Sequence, residues 1–209
     1  MGRPREFDAD SALRNAMQVF WAKGYEATSL CDLTGAMGLS RSSLYETFGG
    51  KQDLFLAALD QYGRDNLDRL AALLAAGGSP RAAIARAFDA VIERLLAEPR
   101  PCGCMIGNSA VELAPHDARV RDRLAAALAG IEGLYRDAIR RGQAAGEIST
   151  RHDAQALARY LVGSLNGLQV LGKVNPDGGE LRQVARLALS VLDTEPETES
   201  QDAAGRNPT

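Results

Sequence analysis

Apolar residues recur every three to four positions along most of the chain, and strand-type alternation is absent. That period predicts about nine helices. In the first, from Asp8 or Asp10 to about Lys23, Leu13, Ala16, Met17 and Phe20 form the buried stripe, Trp21 packs beside it and Gly24 closes it. Leu30, Leu33, Thr34, Ala36 and Met37 mark a second helix, capped by Thr28 or Ser29 and stopped by Gly38. A third, about 41–47, takes Ser40 as its N-cap and buries Leu44 and Phe48. After Gly49 and Gly50, Lys51 opens a fourth to about 76, with Leu54, Phe55, Ala58, Leu59 and Tyr62 inside and Leu67, Leu70 and Leu74 continuing the face. Pro80 suits the first position of a fifth, about 80–98, carrying Ile84, Phe88, Val91, Ile92, Leu95 and Leu96. A sixth runs from near Cys102 to Leu113, a seventh over about 118–145, an eighth over about 153–173 and a ninth over about 180–192. Residues 193–209 are acidic, contain proline and have no period, so a disordered tail is expected.

The eighth helix departs from the one-sided pattern. Leu157, Tyr160, Leu161, Leu165, Leu168, Val170 and Leu171 are apolar around most of its circumference, so it must be buried on more than one side. One side faces its own domain and the other a partner subunit, with Gly163 and Gly167 letting a facing helix come close.

A chain of 209 residues with 45% hydrophobic and 24% charged residues reads as all-α and globular, with one core or a small domain docked on a larger one. No apolar run is long enough to span a bilayer, and the polar start MGRPREFDAD has no signal-peptide core, so no membrane role and a cytoplasmic location are expected. Cys31, Cys102 and Cys104 do not make a disulfide framework. With two histidines, no nucleophile elbow and no phosphate loop, enzyme chemistry is not expected, and neither is a cofactor. Cys102 and Cys104 with only His116 and His152 elsewhere give little for a metal.

The stretch 28–51 reads as a helix, a tight turn and a short second helix, a helix-turn-helix. Arg41, Ser42, Ser43, Tyr45, Glu46 and Thr47 face outward on the second helix. Seven helical residues span roughly 10 Å, which suits a major groove about 12 Å wide. Arg41 alone there offers a bidentate guanine contact. Arg3 and Arg5 flank Pro4 in an arm that either reaches a minor groove or is a solvated terminus. Charge opposes this reading: the chain is net −3, and its first 62 residues carry six basic against eight acidic side chains. The basic groups would have to be concentrated by position.

The patterns G-Y-x-A-T-S-L-x-D-L at 24–33, G-L-S-R-S-S-L-Y-x-x-F at 38–48 and K-x-x-L-F at 51–55 resemble the DNA-binding half of the TetR family of bacterial regulators. The resemblance implies an N-terminal arm and helix-turn-helix domain over 1–50 and a C-terminal helical ligand-binding and dimerisation domain over 51–192, with helix 51–76 belonging to both. It implies double-stranded DNA as partner, a small-molecule effector, and a homodimer through the last two helices, whose paired readers see a palindrome. On this reading Arg41, Ser42, Ser43 and Tyr45 contact DNA, and Thr28, Ser40, Thr47 and Lys51 take phosphates. The Tyr45 hydroxyl goes to the backbone, and Lys51 with its helix N-terminus grips one phosphate.

Two further constellations stay open. In P-C-G-C-M-I-G-N at 101–108, both thiols fall in the first turn of the sixth helix, where the dipole and Arg100 favour a thiolate able to sense oxidants or electrophiles. Gly103-Cys104-Met105 resembles a G-C-L motif in some TetR-family regulators of electrophile stress. The alternative for Cys102 and Cys104 is packing where helices cross, and Cys31 is read as core. Phe88, Ile92, Cys104, Met105, Asn108, Leu113, Leu128, Tyr135, Asn166 and Gln169 either line a ligand cavity or form a helical core. The expectation is a repressor released from a palindromic operator by a small molecule, oxidant or electrophile. The alternatives are a helical adaptor or an activator of the same fold.

Overall fold

The computed structural model describes residues 8–194; the arm with Arg3 and Arg5, and the tail from 195 onward, lie outside it. Nine α-helices and one 3₁₀ turn make up the described residues: α1 (Ala9–Lys23), α2 (Leu30–Met37), α3 (Arg41–Phe48), α4 (Lys51–Ala75), α5 (Pro80–Ala97), α6 (Met105–Glu112), α7 (Ala118–Ala144), α8 (Ala154–Val174), α9 (Gly178–Leu189) and η1 (Ser190–Leu192). The fold is all-α, as the periodicity predicts.

Helices α1 to α3 pack against the start of α4 around Ala16, Phe20, Leu33, Leu44 and Phe55. Phe20 and Phe55 meet edge to face, with ring centres 5.1 Å apart. The other half of α4 packs on α5 and α7, and α7 lies along α8, which α9 flanks. One continuous core therefore runs from the small N-terminal unit through α4 into the larger bundle.

Side-chain caps set most of the boundaries. Ser29 and Asp32 form a reciprocal capping box on α2, with Gly38 left-handed at its end. Asp117, Asp153 and Asp177 each accept two backbone N–H groups at the starts of α7, α8 and α9. The sixth helix begins later than its expected start: Cys104 is its N-cap, and Cys102 lies outside it. In α1, Ala12 is buried in the row with Ala16 and Phe20, and Leu13 is only half-buried. Cys31, expected in the core, is instead exposed on α2.

On α8 and α9 a stripe of apolar side chains has no cover. Tyr160, Val170, Leu171, Val174 and Leu187 are exposed, Val174 by 84%. Nothing lies within 4 Å of the place a Cβ would take on Gly163 or Gly167.

Candidate nucleic-acid interface and effector cavity

The candidate reader face is the outward side of α3. Leu44 is fully buried beneath it and fixes its rotation, leaving Arg41, Ser42, Tyr45, Glu46 and Thr47 exposed and Ser43 half-buried. Ser40 caps the helix by accepting from the Ser43 N–H at 3.1 Å, and its hydroxyl also bonds those of Ser42 and Ser43. Arg41 stands exposed at the first turn, with no ion pair or hydrogen bond among the described residues.

A second anion-receptive point lies at the start of α4. Gly50 supplies no side-chain cap, so the first N–H groups of α4 are left for an outside acceptor. Lys51 sits there with its ammonium 4.3 Å from the centre of the Tyr25 ring, and the Tyr45 ring lies over Gly50. Burial, with the Glu26 carboxylate beside it, pushes the Tyr25 phenol up. Thr28 does not join this surface. It is 1% exposed and its hydroxyl donates to the Gly24 carbonyl at 2.6 Å, so the expected phosphate contact has no free side chain to make it.

The expected excess of acid in the reader is offset by position. Arg119 and Arg123, both from α7 and outside that count, pair with Asp53 and Asp60, while Lys23 holds Asp32 at 2.5 Å within it.

Helix α6 joins the reader to the bundle. At its C-terminal end the Glu112 carboxylate accepts the backbone N–H groups of Tyr25 at 3.1 Å and Glu26 at 2.9 Å. Gly24 suits this joint twice, by its φ of +82° and because a Cβ there would lie 3.0 Å from a Glu112 oxygen. At the other end, the Trp21 indole donates to the Gly103 carbonyl at 3.1 Å, and Arg94 donates to the same oxygen at 3.3 Å while lying over the indole. Trp21 is thus a bridge between α1 and the bundle as well as a packing residue. The Tyr62 ring meets Trp21 edge to face, and its hydroxyl donates towards the Cys104 sulfur at 3.9 Å. Cys104 Sγ also accepts the Gly107 N–H at 3.5 Å.

Behind Cys104 lies a cavity of about 80 Å³ among α4 to α8. Of the expected lining, Cys104, Leu128, Tyr135, Asn166 and Gln169 reach it. Phe88, Ile92, Met105 and Leu113 do not; they are buried in the surrounding core, because the face of α5 that meets the cavity is that of Ala90, Val91 and Arg94. Asn108 is turned into an open groove between α1, α6 and α8, where it donates to the Cys102 carbonyl at 2.9 Å. Tyr62, Asn66, Arg69 and Arg94 line the cavity and were not anticipated, since nothing local distinguishes them from solvated or packed helix positions. Cys104, Asn166 and Gln169 border both cavity and groove, and so stand between the enclosed space and solvent.

The two thiols differ. Cys104 caps α6 as its N-terminus requires, whereas burial, followed by the Glu98 carboxylate, pushes the Cys102 thiol up, against the expected activation. Among the described residues no group of three or more His, Cys, Asp or Glu is placed to hold a metal, and no helix is long and apolar enough to cross a membrane.

The sequence profile described as bacterial regulatory proteins, tetR family, matches residues 12–58, and that of the tetracyclin repressor-like C-terminal domain matches residues 80–188. The HTH-type transcriptional regulator YezE of Bacillus subtilis is 37% identical over 92% of this chain and all of its own length. The HTH-type transcriptional repressor ComR of Escherichia coli is 34% identical over 94% of this chain and 92% of its own. Among solved structures, a cysteine mutant of the TetR family regulator CifR complexed with 26 bp double-strand operator DNA superposes with a TM-score of 0.81. It is 35% identical, covering 91% of this chain and all of that one.

Proposed function

The chain belongs to the TetR family of bacterial regulatory proteins, and from that premise we propose that it is a cytoplasmic, homodimeric, non-enzymatic repressor, released from a palindromic operator by a signal received in its C-terminal domain. Residues 1–50 read DNA and 51–192 receive the signal and dimerise. The observation that carries this reading is the exposed face of α3, with Arg41 unpaired on it, beside the uncapped start of α4 with Lys51. Arg41, Ser42, Ser43 and Tyr45 meet the groove, while Ser40, Thr47 and Lys51 take phosphates, with Arg3 and Arg5 in the arm. The uncovered apolar stripe on α8 and α9 supports the pairing of those helices with their copies.

The signal enters the cavity as a small molecule, or acts on Cys104 as an oxidant or electrophile. Either would disturb Tyr62, Arg94 and Gly103, and through Trp21 and α4 the spacing of the two readers. Release requires the signal to favour the conformation that does not fit the operator.

The test is fluorescence anisotropy of the full-length protein on DNA flanking its own gene, against unrelated DNA, at two salt concentrations, with and without a mild oxidant. Preference for the flanking DNA that weakens steeply with salt is expected, because phosphate contacts release counterions. Absence of salt-sensitive DNA binding on any tested sequence would leave the chain a helical adaptor. Oxidant release that survives Cys104→Ser would remove Cys104 from the sensing role.

A further inference from the structure

We propose, on the effector reading of the cavity above, that the small molecule it takes is a short-chain monocarboxylate. The lining holds two guanidinium groups, Arg69 and Arg94, and no carboxylate. Arg94 is committed: it donates to Gln169 Oε1 at 2.8 Å and to the Gly103 carbonyl, and lies over Trp21. Arg69 makes no ion pair or hydrogen bond among the described residues, and neither does Asn66, one turn away on α4. The nearby acid Asp65 accepts the Gln61 amide and is not part of the lining.

A third donor lies deeper. Tyr135 is 1% exposed and lines the cavity, and its hydroxyl has no hydrogen-bond partner among the described residues. Facing the cavity without a partner among those residues, this hydroxyl is open to an acceptor on a ligand. Burial also pushes the Tyr135 phenol up, so it stays a donor at neutral pH. The remaining wall is apolar, with Leu70, Leu128, Ile131 and Val162.

Size and shape narrow the class. A cavity of about 80 Å³ is roughly half of one of about 150 Å³ that holds benzene, which leaves room for about three or four non-hydrogen atoms. With the three-atom carboxylate head at the rim, on the fork of the exposed Arg69, a tail of two or three carbons fills the enclosed volume among the aliphatic side chains, so charge, donors and volume are met together. Because Arg69 and Asn66 stand on the helix whose first residue is Lys51, occupancy acts on the element that carries the phosphate grip.

The experiment is isothermal titration calorimetry on the full-length protein without DNA, at fixed ionic strength. Sodium propionate and butyrate are the probes, with propionamide and butyramide as neutral isosteres. The carboxylates are expected to bind at least about tenfold more tightly than the amides, the scale of one charge-assisted pair. Arg69→Gln, at an exposed position, should abolish that preference. Tyr135→Phe, which removes a hydroxyl that bonds nothing in the protein, should keep the thermal melt unchanged or raised while weakening carboxylate binding several-fold. Equal binding of acids and amides, an unchanged preference in Arg69→Gln, or no carboxylate binding by protein that holds its operator would each overturn the assignment. Failure to hold any operator would sink the repressor reading instead, and is seen in the separate anisotropy measurement.

Discussion

Replacing Glu112 by alanine should loosen the joint between α6 and the reader. The Glu112 carboxylate takes both N–H groups that follow the end of α1, those of Tyr25 and Glu26. A hydrogen bond to a charged group contributes about 1.5–3 kcal/mol. The Glu26 N–H is exposed and recovers a water molecule, whereas that of Tyr25 is half-buried and recovers little. The expected loss is therefore about 2 kcal/mol, concentrated on one bond. At about 1.4 kcal/mol per factor of ten, local opening at the α1–α2 turn becomes about 30-fold more frequent. Amide hydrogen exchange at residues 25 and 26 reads this directly. Glu112→Gln keeps one acceptor oxygen and should fall between wild type and Glu112→Ala. In the same variants, operator affinity should respond less to the releasing signal, because one of the contacts joining bundle to reader is gone. Exchange at both amides within about threefold of wild type in Glu112→Ala would refute the joint, since that margin is well below the expected factor.

Lys51→Gln should reduce the slope of log affinity against log salt by about one per subunit if Lys51 neutralises a phosphate, and an unchanged slope would place it off the DNA. Asp32 has its carboxyl held well below the usual range, first by the hydrogen bond from Lys23 and then by Ser29. Its stabilisation is therefore complete above the ordinary aspartate pKa of about 4 and is lost as pH falls towards the depressed folded value. Asp32→Asn should flatten the acid side of the melting profile, and a profile as steep as wild type would count against the pair. Iodoacetamide at neutral pH, followed by mass spectrometry, should label the exposed Cys31 before Cys102, whose raised thiol supplies little thiolate; faster labelling of Cys102 would contradict that environment. Gly142→Ala would press a Cβ into Ile148 Cδ1 and set it 3.3 Å from the Ile148 Cβ, with Ile148 only 1% exposed. A loss of about 1–3 kcal/mol in thermal unfolding is expected, partly restored by Ile148→Val, and an unchanged melt would show that the turn yields freely.

The helices were legible because their signals are local. Amphipathic period, glycine stops and aspartate or serine caps lie within a few residues of the boundaries they set, and only α6 and the start of α9 moved by more than a turn's fraction. The cavity was half legible because period does not fix the rotation of one helix against the next. On α5, Phe88 and Ile92 face the core while Val91 and Arg94, further round the helix, face the empty space. Thr28 was misread for a related reason: Thr-Ser before a helix offers two hydroxyls, and only the fold shows that Ser29 caps while Thr28 turns inward. Glu112 carried no local mark at all, since its partners lie 87 and 86 residues earlier in the chain.

Charge was the other misleading quantity. Counting the first 62 residues makes the reader a net acid, which is a poor start for binding a polyanion. The count stops, however, at a boundary the side chains do not respect. Arg119 and Arg123 stand on α7 and cover Asp53 and Asp60 of α4, and Gln52 donates to Asp117 at 2.5 Å on the same seam. Such exposed pairs contribute little to stability, but they decide which charges remain uncompensated near Lys51. Asp53 lies two residues from Lys51, and its counter-ion belongs to the bundle. A displacement of α4 against α7 would therefore change the field around Lys51 as well as the distance between the two proposed readers. Geometry and electrostatics pass through the same helix, so on the proposed mechanism a modest movement at the cavity would weaken DNA binding by both routes.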